Sequence, residues 1–225
     1  MRLLQPRTLI PVAAAFSFLG LAAAIVSGRN FAFDSTVVLF LRQANEASLP
    51  LGPPWLREMM RDITALGSFV GLGIMTIAAS LTLWLCHHRR LAINLVISVL
   101  LALLVSTILK VTIGRERPSF VEHVALSSTA SFPSGHAFMS AVTLLSIAAF
   151  VGLAARRRDI TRLCVTLAWM MIVSIGVSRV YLGVHWPTDV IAGWCLGVAW
   201  SSLAIAWLGW RKYPGDGSML EPSPQ

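Results

Sequence analysis

Long apolar segments alternate with short polar stretches along the whole chain. Six apolar segments approach the length that spans a bilayer, about 20 residues. They cover residues 8–27, 67–86, 91–113, 137–155, 163–179 and 187–209. Any one of them could be a core helix of a water-soluble protein, but six within 225 residues leave too little polar surface for such a fold. The pattern therefore predicts an all-α bundle of six transmembrane helices.

The composition supports this interpretation and excludes an ordinary soluble domain. Hydrophobic residues make up 56% of the chain, charged residues only 12%, and the mean hydropathy is +0.74. Soluble domains carry about 25% charged residues. Cys86, Cys164 and Cys195 lie in or at the end of apolar segments without CxxC spacing, so we expect packing roles and neither a disulfide nor a zinc site.

The net charge of +8 is distributed as an orientation signal, which disfavours a nucleic-acid-binding role. Most of the excess basic residues fall on one side of a six-span arrangement. They are Arg2, Arg7, His87–Arg90, Arg156–Arg158, Arg162, Arg211 and Lys212. The positive-inside rule places this side, with both termini, in the cytoplasm. The first outer loop instead balances four arginines against four carboxylates.

The ends and loops of the chain leave some alternatives open. Residues 1–27 also resemble a secretory signal, although the apolar stretch is long for one and favours a retained span. We expect one domain over residues 1–213 and a disordered tail over 214–225. In the first outer loop, Asp34 is a candidate helix cap. That helix would either border a lipid entrance at the membrane surface or simply pack on the bundle.

The first polar motif lies where the third apolar segment ends. Lys110 and Arg117 are seven residues apart, nearly two helical turns, and would share a face if the helix continued to Gly114 or beyond. A lysine so close to apolar sequence either faces the bundle interior or snorkels to the interface. Arg115, between them, is expected to be a solvated loop charge, and the alternative is that it adds positive potential near the site.

The second motif opens the fourth segment. Ser131 is a candidate N-cap, and Pro133 suits a first helical turn. Gly135 permits close approach of the backbone, so the N–H groups of this turn can face an oxyanion. His136 would stand beside that anion, although such helix starts also occur without any function.

The third motif joins the fifth and sixth segments. Arg179 ends the fifth segment, His185 lies in the short loop, and Asp189 falls in the first turn of the next helix. A carboxylate bonded to Nδ1–H of the ring would leave Nε2 free as a nucleophile or base. The alternative is a local His–Asp bond at a capped helix. The six-span arrangement nevertheless brings all three motifs to the same outer side.

The three motifs resemble the complete signature of the type 2 phosphatidic acid phosphatase (PAP2) family, which belongs to the superfamily that also contains haloperoxidases. They read Lys110-x6-Arg117-Pro118, Pro133-Ser134-Gly135-His136 and Ser178-Arg179-x5-His185-x3-Asp189. The likeness has no departure at any signature position and runs from residue 110 to 189.

The resemblance implies a role for each residue. Lys110, Arg117 and Arg179 would hold the phosphoryl oxygens, with Ser134 and the backbone at Gly135. His185 would attack phosphorus and form a phosphohistidine, oriented by Asp189, while His136 would protonate the leaving oxygen and then activate water. Three fixed cations can replace the magnesium used by other phosphoryl-transfer enzymes, so we expect no metal and no cofactor.

The resemblance also implies the activity, a bacterial inner-membrane phosphatase that acts on lipid phosphates at the outer face. Undecaprenyl diphosphate ranks slightly ahead of phosphatidylglycerol phosphate, phosphatidate and lipid A phosphates. A lipid phosphotransferase using the same site is one alternative, and a transporter or lipid-binding protein with an anion pocket is another. Lipid phosphates and membrane lipids are the expected partners, nucleic acid is not, and the oligomeric state is not predicted.

Overall fold

The structure is a computed structural model that describes residues 6–119 and 130–206. Helices dominate these residues, and one short antiparallel hairpin interrupts them. The helices are α1 (Pro6–Val26), α2 (Ala32–Phe40), α3 (Pro54–Leu66), α4 (Phe69–Leu85), α5 (Arg89–Ile113), α6 (Gly135–Ala155), α7 (Arg158–Tyr181) and α8 (Pro187–Ala204). The hairpin strands are β1 (Arg42–Gln43) and β2 (Glu46–Pro50).

Four of these helices are long and apolar enough to cross a membrane, namely α1, α5, α6 and α7. A fifth span is present if α3 and α4, which meet at 47°, are taken together. The predicted helical bundle is therefore confirmed as a mostly helical, multi-span architecture. A sixth span and cytoplasmic termini are not established by these features. The predicted tail over 214–225 lies outside the described residues.

The central helix of the bundle is α6. About two thirds (67%) of its most apolar window is buried, against 6% for α1 at the periphery. It packs on α7 through Ala141, Ile172 and Ile175, and on α5 through Phe138 and Ala102. Its contact with α8 is so close that a Cβ at Gly197 would lie 2.4 Å from the Cβ of Ala141. This tight packing fixes the start of α8 beside the start of α6.

The end of α5 agrees with the predicted segment, 91–113, whereas the start of α6 differs from the predicted cap. Gly114 adopts φ +64° and ends α5 at Ile113, so Lys110 and Arg117 do not share a helical face. The N-cap of α6 is Ser134, and the predictions of a cap at Ser131 and a helical Pro133 are wrong. The Ser131 hydroxyl instead bonds a carboxylate of α8, which removes it from the helix start.

The first outer loop packs onto the bundle. The predicted cap at Asp34 is wrong, because Phe31 is the N-cap of α2 and the Asp34 carboxylate is buried among other partners. Val38 of α2 packs in a cluster with Val180 and Val190. This burial favours the packing alternative for α2 over a helix that lies free on the membrane surface.

Beyond α2, the predicted helix stops at Phe40 and the chain turns into the β1–β2 hairpin. Arg42 was grouped with the loop charges but is buried. Its guanidinium donates to the carbonyl oxygens of Val180 and Tyr181, at 3.4 and 2.6 Å. These carbonyls belong to the last turn of α7, where acceptors lack helical partners. The arginine therefore ties the hairpin to the end of α7 that leads into the third motif.

Candidate active site

A histidine and a carboxylate meet where α7 gives way to α8. His185 lies in the connection and is 1% exposed, while Asp189 is fully buried in the first turn of α8. The predicted helix start holds: Trp186 is the N-cap, and its backbone N–H donates to Asp189 Oδ2 at 3.0 Å. His185 Nδ1 is 3.5 Å from the same oxygen. Asp189 thus caps its own helix and faces the histidine.

Ser131 joins this pair. Its hydroxyl donates to Asp189 Oδ2 at 2.5 Å and lies 3.3 Å from His185 Nδ1. Because the hydroxyl proton is given to the carboxylate, the Ser131 oxygen faces Nδ1 with its lone pairs. Nδ1 therefore carries a proton that Ser131 and Asp189 share as acceptors.

Arg117 fixes the opposite nitrogen of the ring. Its guanidinium donates to the Val184 carbonyl at 2.6 Å and lies 3.4 Å from His185 Nε2. A guanidinium can only donate, so Nε2 must present its lone pair. Burial lowers the pKa of His185 to about 3, with the positive charges of Arg179 and Arg117 acting in the same direction and Asp189 opposing them. The ring is consequently neutral near pH 7, with an unprotonated Nε2 beside a cation.

The start of α6 supplies polar groups to the same place. Ser134 Oγ is buried and has no hydrogen-bond partner among the described residues. The backbone N–H of Ser134 donates to the Asp189 carbonyl at 3.1 Å and is therefore occupied. The next three N–H groups, from Gly135 to Ala137, belong to the first helical turn and lack intrahelical acceptors. An oxyanion at this point would meet a hydroxyl and the positive end of a helix dipole.

Lys110 reaches this turn from the end of α5. Its Nζ donates to the Ala130 carbonyl at 2.9 Å. A Cβ at Gly135 would lie 3.4 Å from the Lys110 Cε and 4.0 Å from Nζ. The glycine therefore lets the lysine side chain pass directly over the backbone of the α6 start. The snorkelling alternative for Lys110 does not fit this inward course.

Arg179 and His136 complete the group. Arg179 donates to Thr64 Oγ1 of α3 at 3.1 Å, and its Nε is buried without a partner in the described part of the chain. His136 lies close enough to the positive charges of Arg179, Lys110 and Arg117 to interact electrostatically with all three. The structure thus brings all eight predicted site residues together, and it leaves donors on Ser134 and Arg179 unsatisfied.

Sequence reasoning missed a second layer of this site. Arg115, expected to be solvated, is a half-buried cation that donates to Asp189 Oδ1 at 2.5 Å and Asp34 Oδ2 at 2.7 Å. Asp34 also accepts from Thr188 N at 2.9 Å and from Thr188 Oγ1 at 2.6 Å. The sequence did offer one signal, since Asp34 is a carboxylate in a largely apolar chain. It lies 155 residues before Asp189, however, and no rule of residue spacing links two positions so far apart.

Within residues 6–119 and 130–206, no three His, Cys, Asp or Glu side chains are grouped as ligands of a metal ion. The charges that meet at the site are instead three cations and two histidines, with Asp189 behind His185. Such an arrangement has the charges needed to bind a multiply charged oxyanion, and a bound oxyanion would lie next to an imidazole nitrogen that has a lone pair.

Comparisons with known proteins show the family to which the chain is related. The family model described as the PAP2 superfamily matches residues 91–213. Phosphatidylglycerophosphatase B of Bacillus subtilis (strain 168) is 34% identical over 194 residues, which cover 84% of this chain and 89% of that protein. An undecaprenyl-diphosphatase of Sulfolobus acidocaldarius is 37% identical over 128 residues, which cover 52% and 55% of the two chains.

The fold is also similar to a solved structure. The crystal structure of a transmembrane PAP2 type phosphatidylglycerolphosphate phosphatase from Bacillus subtilis superimposes with a TM-score of 0.75 at 30% identity. The match covers 88% of this chain and 94% of that one.

Proposed function

Because the chain belongs to the PAP2 superfamily, we propose that it is a membrane lipid phosphatase that works through a phosphohistidine on His185. One observation carries the assignment of the nucleophile. His185 Nε2 is unprotonated and faces Arg117, while Nδ1 faces Ser131 and Asp189. A histidine held in this tautomer, next to a cation that attracts phosphate, is prepared for attack on phosphorus.

The phosphoryl group binds before any bond changes. Lys110, Arg117 and Arg179 neutralise its oxygens, and the unsatisfied Ser134 hydroxyl and the N–H of Gly135 donate to them. The same groups stabilise the charge that spreads over these oxygens in the transition state. Since three fixed cations supply this stabilisation, the reaction proceeds without a metal ion or cofactor.

The chemistry then has two steps. In the first, Nε2 of His185 attacks phosphorus and the bond between phosphorus and the lipid oxygen breaks. His136, which takes up a proton when the negatively charged phosphoryl group binds beside it, gives that proton to the leaving oxygen. In the second, His136 takes a proton from water, the water oxygen attacks phosphorus and the P–N bond breaks. Inorganic phosphate leaves, and His185 returns to its neutral form. Asp189 stabilises the positive charge on the ring in the intermediate state.

The chain crosses the membrane six times, with the site on the outer side and both termini in the cytoplasm. This arrangement takes α4 as a span of its own, with α3 along the surface, and α8 as the sixth span. At 18 residues and 1.5 Å per residue, α8 is about 27 Å long, close to the hydrocarbon thickness of about 30 Å. Residues 1–213 form one domain in a bacterial inner membrane.

Two substrates lead. Undecaprenyl diphosphate is the first candidate from the sequence, and the Sulfolobus relative carries that activity in its name. Phosphatidylglycerol phosphate is the second, favoured by the Bacillus relative because the match extends over 89% of that protein. Both present a phosphoryl group on an apolar tail at the membrane surface, which is where the start of α6 and the end of α7 meet.

Phosphate release from a lipid panel tests the function. The purified protein is assayed in EDTA with both leading candidates, phosphatidate and a lipid A phosphate. We expect release by the unsubstituted protein, and a loss of about 10³-fold or more in His185→Asn. The ranking of kcat/KM over the panel identifies the substrate.

His87→Asn is the matched control. His87 is exposed in the α4–α5 turn and has a positive φ, which asparagine tolerates well. It should retain full activity. Equal activity of His185→Asn and the unsubstituted protein would contradict the nucleophile, and activity that requires added magnesium would contradict metal independence. Transfer of phosphate to an added lipid alcohol in place of water would instead identify a phosphotransferase.

A further inference from the structure

Arg115 connects the outer loop to the catalytic carboxylate. One guanidinium nitrogen donates to Asp189 Oδ1 at 2.5 Å and to Thr188 Oγ1 at 2.8 Å, and the other donates to Asp34 Oδ2 at 2.7 Å. The side chain of Arg115 is 14% exposed, while Asp34 and Asp189 are 3% and 0% exposed. Two buried carboxylates from distant parts of the chain therefore share one cation.

We propose that Arg115, anchored by Asp34 of α2, is a positioning residue that orients Asp189 and thereby keeps His185 in its nucleophilic tautomer. The proposal rests on the function assigned to His185 above. It gives the first outer loop a role in catalysis, because Asp34 of α2 then holds Arg115 in place.

The two oxygens of Asp189 have different tasks. Oδ2 accepts from Ser131 and from the backbone of Trp186 and faces Nδ1 of His185. Oδ1 accepts from Arg115. A carboxylate rotates readily about its last torsion, so a partner on the far oxygen decides which way the near oxygen points. The bond from Arg115 to Oδ1 therefore acts together with the two bonds to Oδ2 to keep Oδ2 toward the histidine.

Asp34 in turn holds Arg115. Its Oδ1 accepts the backbone N–H of Thr188, and its Oδ2 accepts both the Thr188 hydroxyl and the guanidinium. Arg115, Asp34 and Thr188 thus close a ring of hydrogen bonds around the start of α8. Asp34 has little freedom to move, because Val38, one turn along α2, is fully buried.

Further contacts fix both the backbone and the guanidinium of Arg115. The Ser131 backbone N–H donates to its carbonyl at 2.7 Å, and the guanidinium lies 5.7 Å from the centre of the Trp186 ring. The indole N–H of Trp186 donates to the Glu116 carbonyl at 2.9 Å. The segment after α5 is therefore fastened to the segments before α6 and α8. Each of these segments carries a residue that contacts His185 or the phosphate site.

Arginine is required at position 115 because a planar fork reaches two carboxylates at once, whereas a lysine places its donors at one point. Arg115→Lys keeps the charge and so avoids leaving two buried carboxylates without a cation. It should lower kcat by about 10- to 100-fold, the usual effect of losing a residue that orients a catalytic group. KM should change by less than about twofold, because Arg115 does not bind the phosphoryl group.

Asp34→Asn tests the anchor, since the amide keeps the shape and loses one acceptor. It should also lower kcat, by a smaller factor than Arg115→Lys does. The double variant Asp34→Asn/Arg115→Lys should be no slower than Arg115→Lys, because both changes interrupt one chain of contacts. Arg61→Gln is the matched control, since Arg61 forms an exposed pair with Glu58 on α3. It should leave both kcat and KM unchanged.

A measurement without turnover separates this proposal from the proposed function. The ¹⁵N-NMR spectrum of the histidine-labelled protein at pH 7 reports the tautomer of His185, whose signal is identified by its loss in His185→Asn. We expect the Nδ1–H form in the unsubstituted protein and a measurable Nε2–H fraction in Arg115→Lys. Unsubstituted protein that is inactive on every lipid phosphate would overturn the function, while the tautomer would still decide the role of Arg115.

An unchanged tautomer together with unchanged kcat in Arg115→Lys would overturn the positioning role. A rise in KM with unchanged kcat would overturn it as well, because that pattern would make Arg115 a ligand of the substrate. A kcat that falls equally in Arg61→Gln would also count against it, since the effect would then not belong to the network. Thermal unfolding in detergent identifies any variant that has lost its fold. If Arg115→Lys does not fold, Asp34→Asn still tests the network.

Discussion

Ser131 shows how one hydroxyl can decide the state of a catalytic ring. It donates to Asp189 and leaves its lone pairs to His185 Nδ1, so it lies between the two groups. The carboxylate then acts on the ring both directly, at 3.5 Å, and through the serine. A hydroxyl in this place positions the carboxylate. It also accepts a hydrogen bond from the N–H at Nδ1, which keeps the proton on that nitrogen.

Ser131→Ala should lower kcat by about 10-fold with little change in KM, because it removes a hydrogen bond to a buried charged group and leaves the phosphate ligands in place. Steady-state kinetics on the best substrate of the panel measure both constants. Ser140→Ala is the matched control, since Ser140 is equally buried and donates to the nearby Ala137 carbonyl. Equal losses of activity in the two variants would argue that Ser131 has no special role.

The pH behaviour of His185 follows from its burial. Because burial lowers the pKa of His185 to about 3, the ring stays neutral over the range below pH 6.5 in which an exposed histidine becomes protonated. A ¹⁵N-NMR titration of the folded protein should give a midpoint below pH 5. The same chain in denaturant should titrate near pH 6.5. A folded-state midpoint near 6.5 would contradict the desolvated site.

At the scale of elements, the site depends on how closely α8 approaches α6. Gly193 and Gly197 lie on the α8 face that meets α6. A Cβ at Gly193 would lie 2.9 Å from the Ser134 carbonyl, and one at Gly197 would lie 2.4 Å from the Ala141 Cβ. The bond from the Ser134 N–H to the Asp189 carbonyl spans the same contact. The starts of α6 and α8, which hold the proposed phosphate ligands and the proposed nucleophile, are thus positioned by small residues deeper in the bundle.

Gly197→Ala should destabilise the protein by about 1–3 kcal/mol, as overpacking does, and lower activity by shifting the start of α8. Thermal unfolding in detergent and phosphate release measure the two effects. Gly73→Ala in α4 is the control, because nothing lies within 4 Å of a Cβ there. It should be neutral or slightly stabilising. A Gly197→Ala variant as stable and active as Gly73→Ala would contradict the tight contact.

At the scale of the whole molecule, the residues that sequence reasoning placed best were those joined by motif spacing and topology. Lys110, His136 and Arg179 lie at ends of different helices, and their convergence required only that those ends share one side. Asp34 and Arg115 were misjudged for a physical reason. Their pairing depends on α2 folding back over the start of α8, a long-range contact that neither propensity nor spacing reports.

Helix boundaries were the other source of error, and again the cause was tertiary. A cap at Ser131 was reasonable locally, but its hydroxyl bonds Asp189 across the bundle. The end of α5 was predicted correctly, because the apolar segment stops at Ile113 and Gly114 follows it as the left-handed cap. The helical architecture was predictable from periodicity, whereas the layer behind the catalytic residues was not.

The six-span topology predicts opposite accessibility for two exposed positions. In a background with Cys86, Cys164 and Cys195 replaced by alanine, Ala47→Cys in β2 should react with a membrane-impermeant maleimide in intact cells. Arg90→Cys, at the start of α5, should react only after permeabilisation, because the basic turns lie in the cytoplasm. The reverse pattern would place the site on the cytoplasmic side. Equal labelling of both in intact cells would contradict the arrangement of spans.

The central claim is that His185 carries the phosphoryl group between the two steps. Its most direct test is rapid acid-free quenching of the protein during turnover of a labelled lipid phosphate, followed by mass spectrometry of the peptide that contains His185. His136→Asn slows the attack of water. With undecaprenyl diphosphate, whose leaving group is a phosphate that needs little protonation, this variant should make the adduct accumulate. We expect phosphate on Nε2 of His185 in EDTA. Phosphate on another residue, or release from His136→Asn with no phosphoprotein at any time, would contradict the account.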